Sequence, residues 1–114
     1  MKFYVDGSGW NGKESKYAVM FEDGSNIVVT LKAKLTNNEA EYNAVITALQ
    51  VARKGDVIYT DSELVVKQLK GEYAVKADNL KQLHDAAKKL QQLKGVSVEW
   101  IKREENKAGA LLEK

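Results

Sequence analysis

Apolar and polar residues change their spacing several times along the chain, and each change marks an element. Lys2-Phe3-Tyr4-Val5-Asp6 is a short β-rich run that stops at Gly7-Ser8-Gly9. Tyr17 to Glu22 and Asn26 to Lys34 are also β-rich, with Asp23-Gly24 between them. Asp-Gly between two apolar runs is a strong hairpin signal. The chain therefore opens with three strands in an antiparallel meander.

The period then changes. Thr36-Asn37-Asn38-Glu39 reads as a capping box, in which the Thr hydroxyl bonds the Glu39 amide and Glu39 reaches back. The helix it starts carries Glu41, Val45, Ala48, Leu49 and Ala52 on one stripe and runs to about Lys54, where Gly55 ends it. Val57-Ile58-Tyr59, within Asp56 to Thr60, has the composition of a buried strand. Ser62 is a natural cap for a short helix ending near Gly71. Asp78 is placed to cap another helix, with Leu80, Leu83, Ala87 and Leu90 on one face and Gly95 at its end. Val96, Val98 and Trp100 alternate as a fifth strand, and the alternation puts Trp100 in the core. The tail from Asn106 to Lys114 is short and helix-permissive. The order βααβ after a βββα opening predicts an α/β fold with a mixed sheet. The connection between the first and fourth strands is long enough for a crossover, which allows them to lie parallel and adjacent.

At 114 residues the chain fits one domain over 1–114 and a modest core. Lys and Arg number 18 against 16 Asp and Glu, a net charge of +2. That balance excludes a bulk-basic nucleic-acid binder but not a local basic face. With no Cys there are no disulfides, no Cys-based zinc site and no thiol chemistry. The same absence fits a reducing compartment, and a cytoplasmic location is expected. The single His84 excludes a multi-His metal site. No apolar run approaches the roughly 20 residues that cross a bilayer, and no signal-peptide pattern opens the chain. Any chemistry must use carboxylates, hydroxyls, Lys or Arg.

Three acids stand out by position. Asp6 ends the first strand before a Gly-rich turn, and Asp61 ends the fourth before a helix cap. If those strands are parallel neighbours, both acids lie at the sheet edge where open α/β sheets bind ligands. Glu41 is in line with the buried helical stripe, where an unpaired carboxylate is expensive. Singly, each acid has a plain explanation, as a turn residue or as a helix N-terminal charge. Jointly they describe three converging carboxylates, which a divalent cation would relieve. Hard oxygen ligands without His or Cys suit Mg²⁺ or Mn²⁺, and a pair of such ions serves phosphodiester cleavage.

These residues resemble the ribonuclease H family. Tyr4-Val5-Asp6-Gly7-Ser8 is similar to its first-strand signature, and Thr36-Asn37-Asn38-Glu39-Ala40-Glu41-Tyr42 to the start of its central helix. Tyr59-Thr60-Asp61-Ser62 resembles its fourth-strand motif, and Trp100 to Asn106 the run into its last active-site loop. The segment Leu69 to Lys76, followed directly by the Asp78 helix, resembles compact members without the extra basic helix. The resemblance implies a ribonuclease H-like fold: a five-stranded mixed sheet, three antiparallel strands then parallel additions, with helices on both faces. It implies endonucleolytic hydrolysis of the RNA strand of RNA–DNA hybrids by a monomer, using two Mg²⁺ ions or Mn²⁺ as substitute. Asp6, Glu41 and Asp61 would be catalytic metal ligands. Asn37 and Asn38, with the Gly7-Ser8 backbone, would lie near the groove that senses 2′-hydroxyls. Thr36 would help hold a phosphate of the DNA strand, and Arg103 takes the place of a residue assisting turnover.

One departure bears on activity. The family carries a fourth acid in the frame Asn-x-x-Ala-Asp-x-Leu, whereas this chain reads Asn106-Lys107-Ala108-Gly109-Ala110-Leu111-Leu112. Counting from Asn106 and Leu112 puts Ala110 in the acid's place; matching the small residue Ala108 puts Gly109 there. Neither ligates a metal, and Glu105 or Glu113 are the nearby substitutes. Impaired catalysis is the expected consequence, with a non-catalytic hybrid- or duplex-binding module as the alternative. A lysine-rich stretch from Lys67 to Lys94 has two readings, a solvated helix face or a phosphate-contacting one. His84 is expected to be exposed, and Trp10 either packs over its loop or touches substrate.

Overall fold

The computed structural model describes residues 1–112. Five strands form one sheet: β1 (Lys2–Ser8), β2 (Ser15–Phe21), β3 (Asn26–Leu31), β4 (Val57–Thr60) and β5 (Ser97–Trp100). Their spatial order is β3-β2-β1-β4-β5. The first three are antiparallel, and β4 joins β1, and β5 joins β4, in parallel. The crossover between β1 and β4 is thus used. Three helices follow the expected order: α1 (Asn37–Val51), α2 (Glu63–Leu69) and α3 (Asp78–Lys94). Two short 3-10 turns close the described chain, Arg103–Glu105 and Lys107–Leu112.

Strand alternation sorts the core. Phe3, Val5, Val19, Ile58 and Val98 face the helices and pack with Val45, Leu49, Val65, Leu69, Leu80 and Ala87. Tyr4 and Asp6 point to the other face, where Tyr4 stacks on Tyr59 at 5.6 Å. Among the described residues, that face receives only the Lys107–Leu112 turn, through buried Ala108 and Leu112. Both faces are therefore covered, but unequally.

Several boundaries differ from the expectation for identifiable reasons. β1 does not stop at Gly7 but runs through it to Ser8, with Gly7 paired to Tyr17. α1 ends at Val51 rather than near Lys54, because Ala52 is extended and buried. Its last carbonyls are met from another element: Lys94 Nζ donates to Gln50 O at 2.6 Å and Ala52 O at 3.3 Å. Gly55 belongs to the turn beyond, where Arg53 N–H donates to Asp56 Oδ2. Asp78 is the first helical residue of α3 and not its cap; Ala77 holds that place without a side-chain bond.

Trp100 is not core but 48% exposed. It sits at the end of an edge strand, lines a groove with Val66 and Lys67 of α2, and donates through Nε1 to Asp61 O at 3.3 Å. His84 is not exposed but half-buried. Its Nε2 lies 3.2 Å from Gln68 O, and its ring meets Tyr42 edge-on. Most of the lysines in the basic stretch are committed to intramolecular partners. Lys67 pairs with Glu63, Lys70 with Glu99 and Lys81 with Asp78. Lys88 donates to Leu69 O, as Lys94 does to α1. Among the described residues, no helix is long and apolar enough to cross a membrane.

Candidate active site

The parallel register pairs Val5 with Thr60, so the residues that follow them, Asp6 on β1 and Asp61 just past the end of β4, come to the same end of the sheet. Glu41 arrives from above, in the second turn of α1. The helix can approach because residue 7 is glycine: a β-carbon there would lie 2.4 Å from Ala40 C and 2.5 Å from Glu41 N. Gly9 admits the start of the helix in the same way. A β-carbon on it would lie 2.7 Å from Asn37 N, and its own N–H donates to Asn37 Oδ1 at 2.7 Å. The glycines after Asp6 are thus contact points for α1 and not a turn.

The three acids bring carboxylate oxygens within 4.8 Å of one another. Glu41 is buried and receives two hydrogen bonds, from Gly7 N–H to Oε1 at 2.9 Å and from the Thr60 hydroxyl to Oε2 at 3.2 Å. Burial nevertheless dominates and, with the adjoining Asp6, pushes its pKa up to about 9. Asp6 is also raised, first by burial and further by Asp61, while Glu41, the Gly7 amide and Arg103 oppose the shift. An ionised triad is therefore electrostatically short of positive charge. Its donor set, carboxylate oxygens alone, fits a hard divalent cation, and among the described residues this is the acidic group able to hold one.

The acids open into a cleft of about 770 Å³, lined also by Gly7, Ser8, Asn37, Asn38, Ser62, Arg103, Glu104, Asn106, Gly109 and Ala110. Thr36 is not in that lining; its hydroxyl accepts from Glu39 N–H at 3.1 Å in the expected capping box. Trp10 is also outside it, half-buried beneath Lys34, with its backbone N–H donating to Leu35 O. Glu105 faces a different groove, with Tyr4, Tyr59 and Trp100. Glu113 lies outside the described residues.

Two residues to which the sequence assigned no role hold the site. Thr60 is the hydroxyl donor to Glu41. Asn106 donates through Nδ2 to Val5 O at 2.9 Å and Asp61 Oδ2 at 3.0 Å, while its Oδ1 accepts from Ala108 N–H at 3.1 Å. The signal for Asn106 was its place before a helix-permissive tail, as a capping residue. The turn that it starts brings Gly109 against the acids: a β-carbon on Gly109 would lie 3.6 Å from Asp6 Oδ2. Ala110 is exposed at the cleft wall.

A family model described as RNase H matches residues 1–109. The chain belongs to the RNase H family. Solved structures agree with this RNase H assignment over nearly the whole chain. RNase H1 from the archaeon Halobacterium salinarum superposes with a TM-score of 0.79 at 26% identity, covering 97% of this chain and 92% of that one. LC11-RNase H1 in complex with an RNA/DNA hybrid gives 0.80 at 26% identity, covering 97% and 91%. By sequence, the RNase H domain is 36% identical over 78 residues to the bifunctional protein Rv2228c of Mycobacterium tuberculosis. That stretch is 64% of this chain and 21% of the relative, so the match spans about a fifth of the curated protein's length.

Proposed function

We propose that this RNase H domain, over residues 1–114, hydrolyses the RNA strand of RNA–DNA hybrids with divalent cations, and does so weakly. The observation that carries the reading is the convergence of Asp6, Glu41 and Asp61 at the head of an open polar cleft. These three residues would hold Mg²⁺ or Mn²⁺. A divalent cation so held supplies Lewis acidity, lowering the pKa of an attacking water and neutralising charge on the departing oxygen. The chain's own residues do the rest. Gly7 N–H and the Thr60 hydroxyl fix the Glu41 carboxylate, and Asn106 fixes that of Asp61. Asn38 and the Gly7-Ser8 backbone line the cleft and offer polar groups to 2′-hydroxyls; Asn37 keeps its amide NH₂ for them, since its Oδ1 is taken by Gly9. Arg103 lines the cleft and opposes the rise in the Asp6 pKa, a cation suited to a product phosphate. Thr36 accepts from Glu39 N–H, which leaves its hydroxyl proton as the group that can bond a DNA-strand phosphate.

The absence of a fourth carboxylate at Gly109 or Ala110 supports weak activity. It equally favours a second reading, a hybrid-binding module without catalysis. Incubation of the protein with a hybrid labelled on its RNA strand, in Mg²⁺ and then in Mn²⁺, separates the two. Cleavage abolished by Asp61→Asn supports the nuclease. Binding without cleavage in either metal supports the module, and no hybrid binding at low salt excludes both.

A further inference from the structure

Thr60 is wholly buried at the end of β4, immediately before Asp61, and its hydroxyl is the centre of a relay. Ser62 N–H donates into Thr60 Oγ1 at 3.1 Å. Ser62 is itself fixed as the cap of α2, its own Oγ accepting from Val65 N–H at 3.3 Å. A backbone N–H can only donate, so one Oγ1 lone pair is occupied and the hydroxyl proton is left for another acceptor. The acceptor within reach is Glu41 Oε2, at 3.2 Å. With a divalent cation in place Glu41 is ionised and only accepts, so in the metal-bound state the bond runs from the Thr60 hydroxyl to Glu41. The other oxygen, Oε1, is fixed by Gly7 N–H at 2.9 Å. One donor per oxygen defines the plane of the carboxylate and leaves each oxygen lone-pair capacity toward the cleft.

We propose that Thr60 is a positioning residue for the metal site: its hydroxyl, clamped by the α2 cap, orients the Glu41 carboxylate toward a divalent cation. The inference rests on Glu41 being a metal ligand. The Thr60 γ-methyl packs in the same buried spot, so loss of packing must be separated from loss of the hydroxyl. Thr60→Ser and Thr60→Ala both lose the methyl and differ only in the hydroxyl, which makes their comparison the decisive one. A charge-assisted hydrogen bond is among the stronger ones, so its loss has a measurable effect.

The experiment is calorimetric titration of the full 114-residue chain with Mn²⁺ alone, for wild type, Thr60→Ser, Thr60→Ala, Thr60→Val and Glu41→Gln, beside melting curves in EDTA. Thr60→Ser should bind Mn²⁺ within about twofold of wild type, and Thr60→Ala and Thr60→Val about tenfold more weakly. A merely structural role would shift the metal-free melting temperatures while leaving the Mn²⁺ affinities of the serine and alanine variants equal, and that result overturns the proposal. If Thr60→Val does not fold, the serine–alanine pair decides alone. If Glu41→Gln binds Mn²⁺ as wild type does, the assignment of Glu41 as a ligand fails, whatever the Thr60 variants show. Equal affinities of the Thr60 variants beside a weakened Glu41→Gln leave that assignment standing and reject the role of Thr60.

Discussion

Asn106 donates a hydrogen bond to the carboxylate of Asp61 at 3.0 Å, across 45 positions of sequence. The same amide nitrogen reaches Val5 O, and the same side chain caps the turn that follows. One buried residue thus ties the end of β4, the end of β1 and the C-terminal segment together. Asn106→Ala removes three hydrogen bonds and leaves Val5 O and Ala108 N–H without those partners. A loss of about 2–3 kcal/mol of stability is expected, read by urea denaturation. Asn106→Asp keeps the cap but sets a second carboxylate against Asp61, so its deficit should exceed that of alanine above neutral pH and shrink when Mn²⁺ is added. Equal denaturation midpoints for the two variants in EDTA would contradict this.

Gly109 is the position from which a new side chain would meet the acids, given 3.6 Å from its β-carbon place to Asp6 Oδ2. Gly109→Asp is therefore expected to raise Mg²⁺-dependent cleavage of a hybrid at least tenfold, about 1.4 kcal/mol in barrier, and to lower stability in EDTA. Ala110→Asp, from an exposed site at the cleft wall, should do less. A larger gain from Ala110→Asp would mean that the tail winds differently when it carries an acid, and would favour the register counted from Asn106 and Leu112.

The protonation of Glu41 makes stability depend on pH in a definite direction. Its folded pKa, up to about 9, lies above the ordinary 4.5. The folded state therefore holds a proton that the unfolded state releases, and stability falls as pH rises through that window. In EDTA, wild type should lose several degrees of melting temperature between pH 5.5 and 8.5 beyond any loss in Glu41→Gln. The difference between the two slopes is the readout, since other groups titrate in both. Divalent cations should restore more stability at pH 8.5 than at pH 5.5, where the site holds more protons to displace.

Lys94 serves α1 from the far end of α3, where the last turn of α1 has no basic residue of its own. Lys94→Met keeps most of the stem and removes the donor. A loss of about 1 kcal/mol is expected in chemical denaturation, with hybrid cleavage unchanged. No loss of stability would show that solvent caps these carbonyls equally well.

Much of the framework was legible in the residues because it depends on local pattern. The Asp23-Gly24 hairpin, the Thr36–Glu39 capping box and the Gly95 helix end are all present where the sequence places them. The convergence of acids was legible for a different reason. Glu41 breaks the apolar stripe of α1, and the two aspartates mark strand ends on elements able to lie parallel. What was not legible depends on partners distant in sequence. The end of α1 goes with the burial of an extended Ala52, and its carbonyls are met by a lysine 44 positions from Gln50. Alternation put Trp100 on the core face, but only the position of β5 at the sheet edge shows that little remains there to cover it. Gly7 read as a turn residue because glycine has two uses, and sequence does not distinguish a positive φ from a missing β-carbon.

The glycine contact has a consequence for how the site can change. With backbone against backbone at Gly7 and Ala40, the main-chain separation of Asp6 and Glu41 is set by main-chain thickness. Any residue other than glycine at position 7 must push α1 off the sheet and separate the acids with it. Docking of α1 on β1 then brings the backbones bearing Asp6 and Glu41 to their final separation. Within that fixed backbone spacing, the room for variation lies in the side chains that orient the acids and in the tail and rim around them.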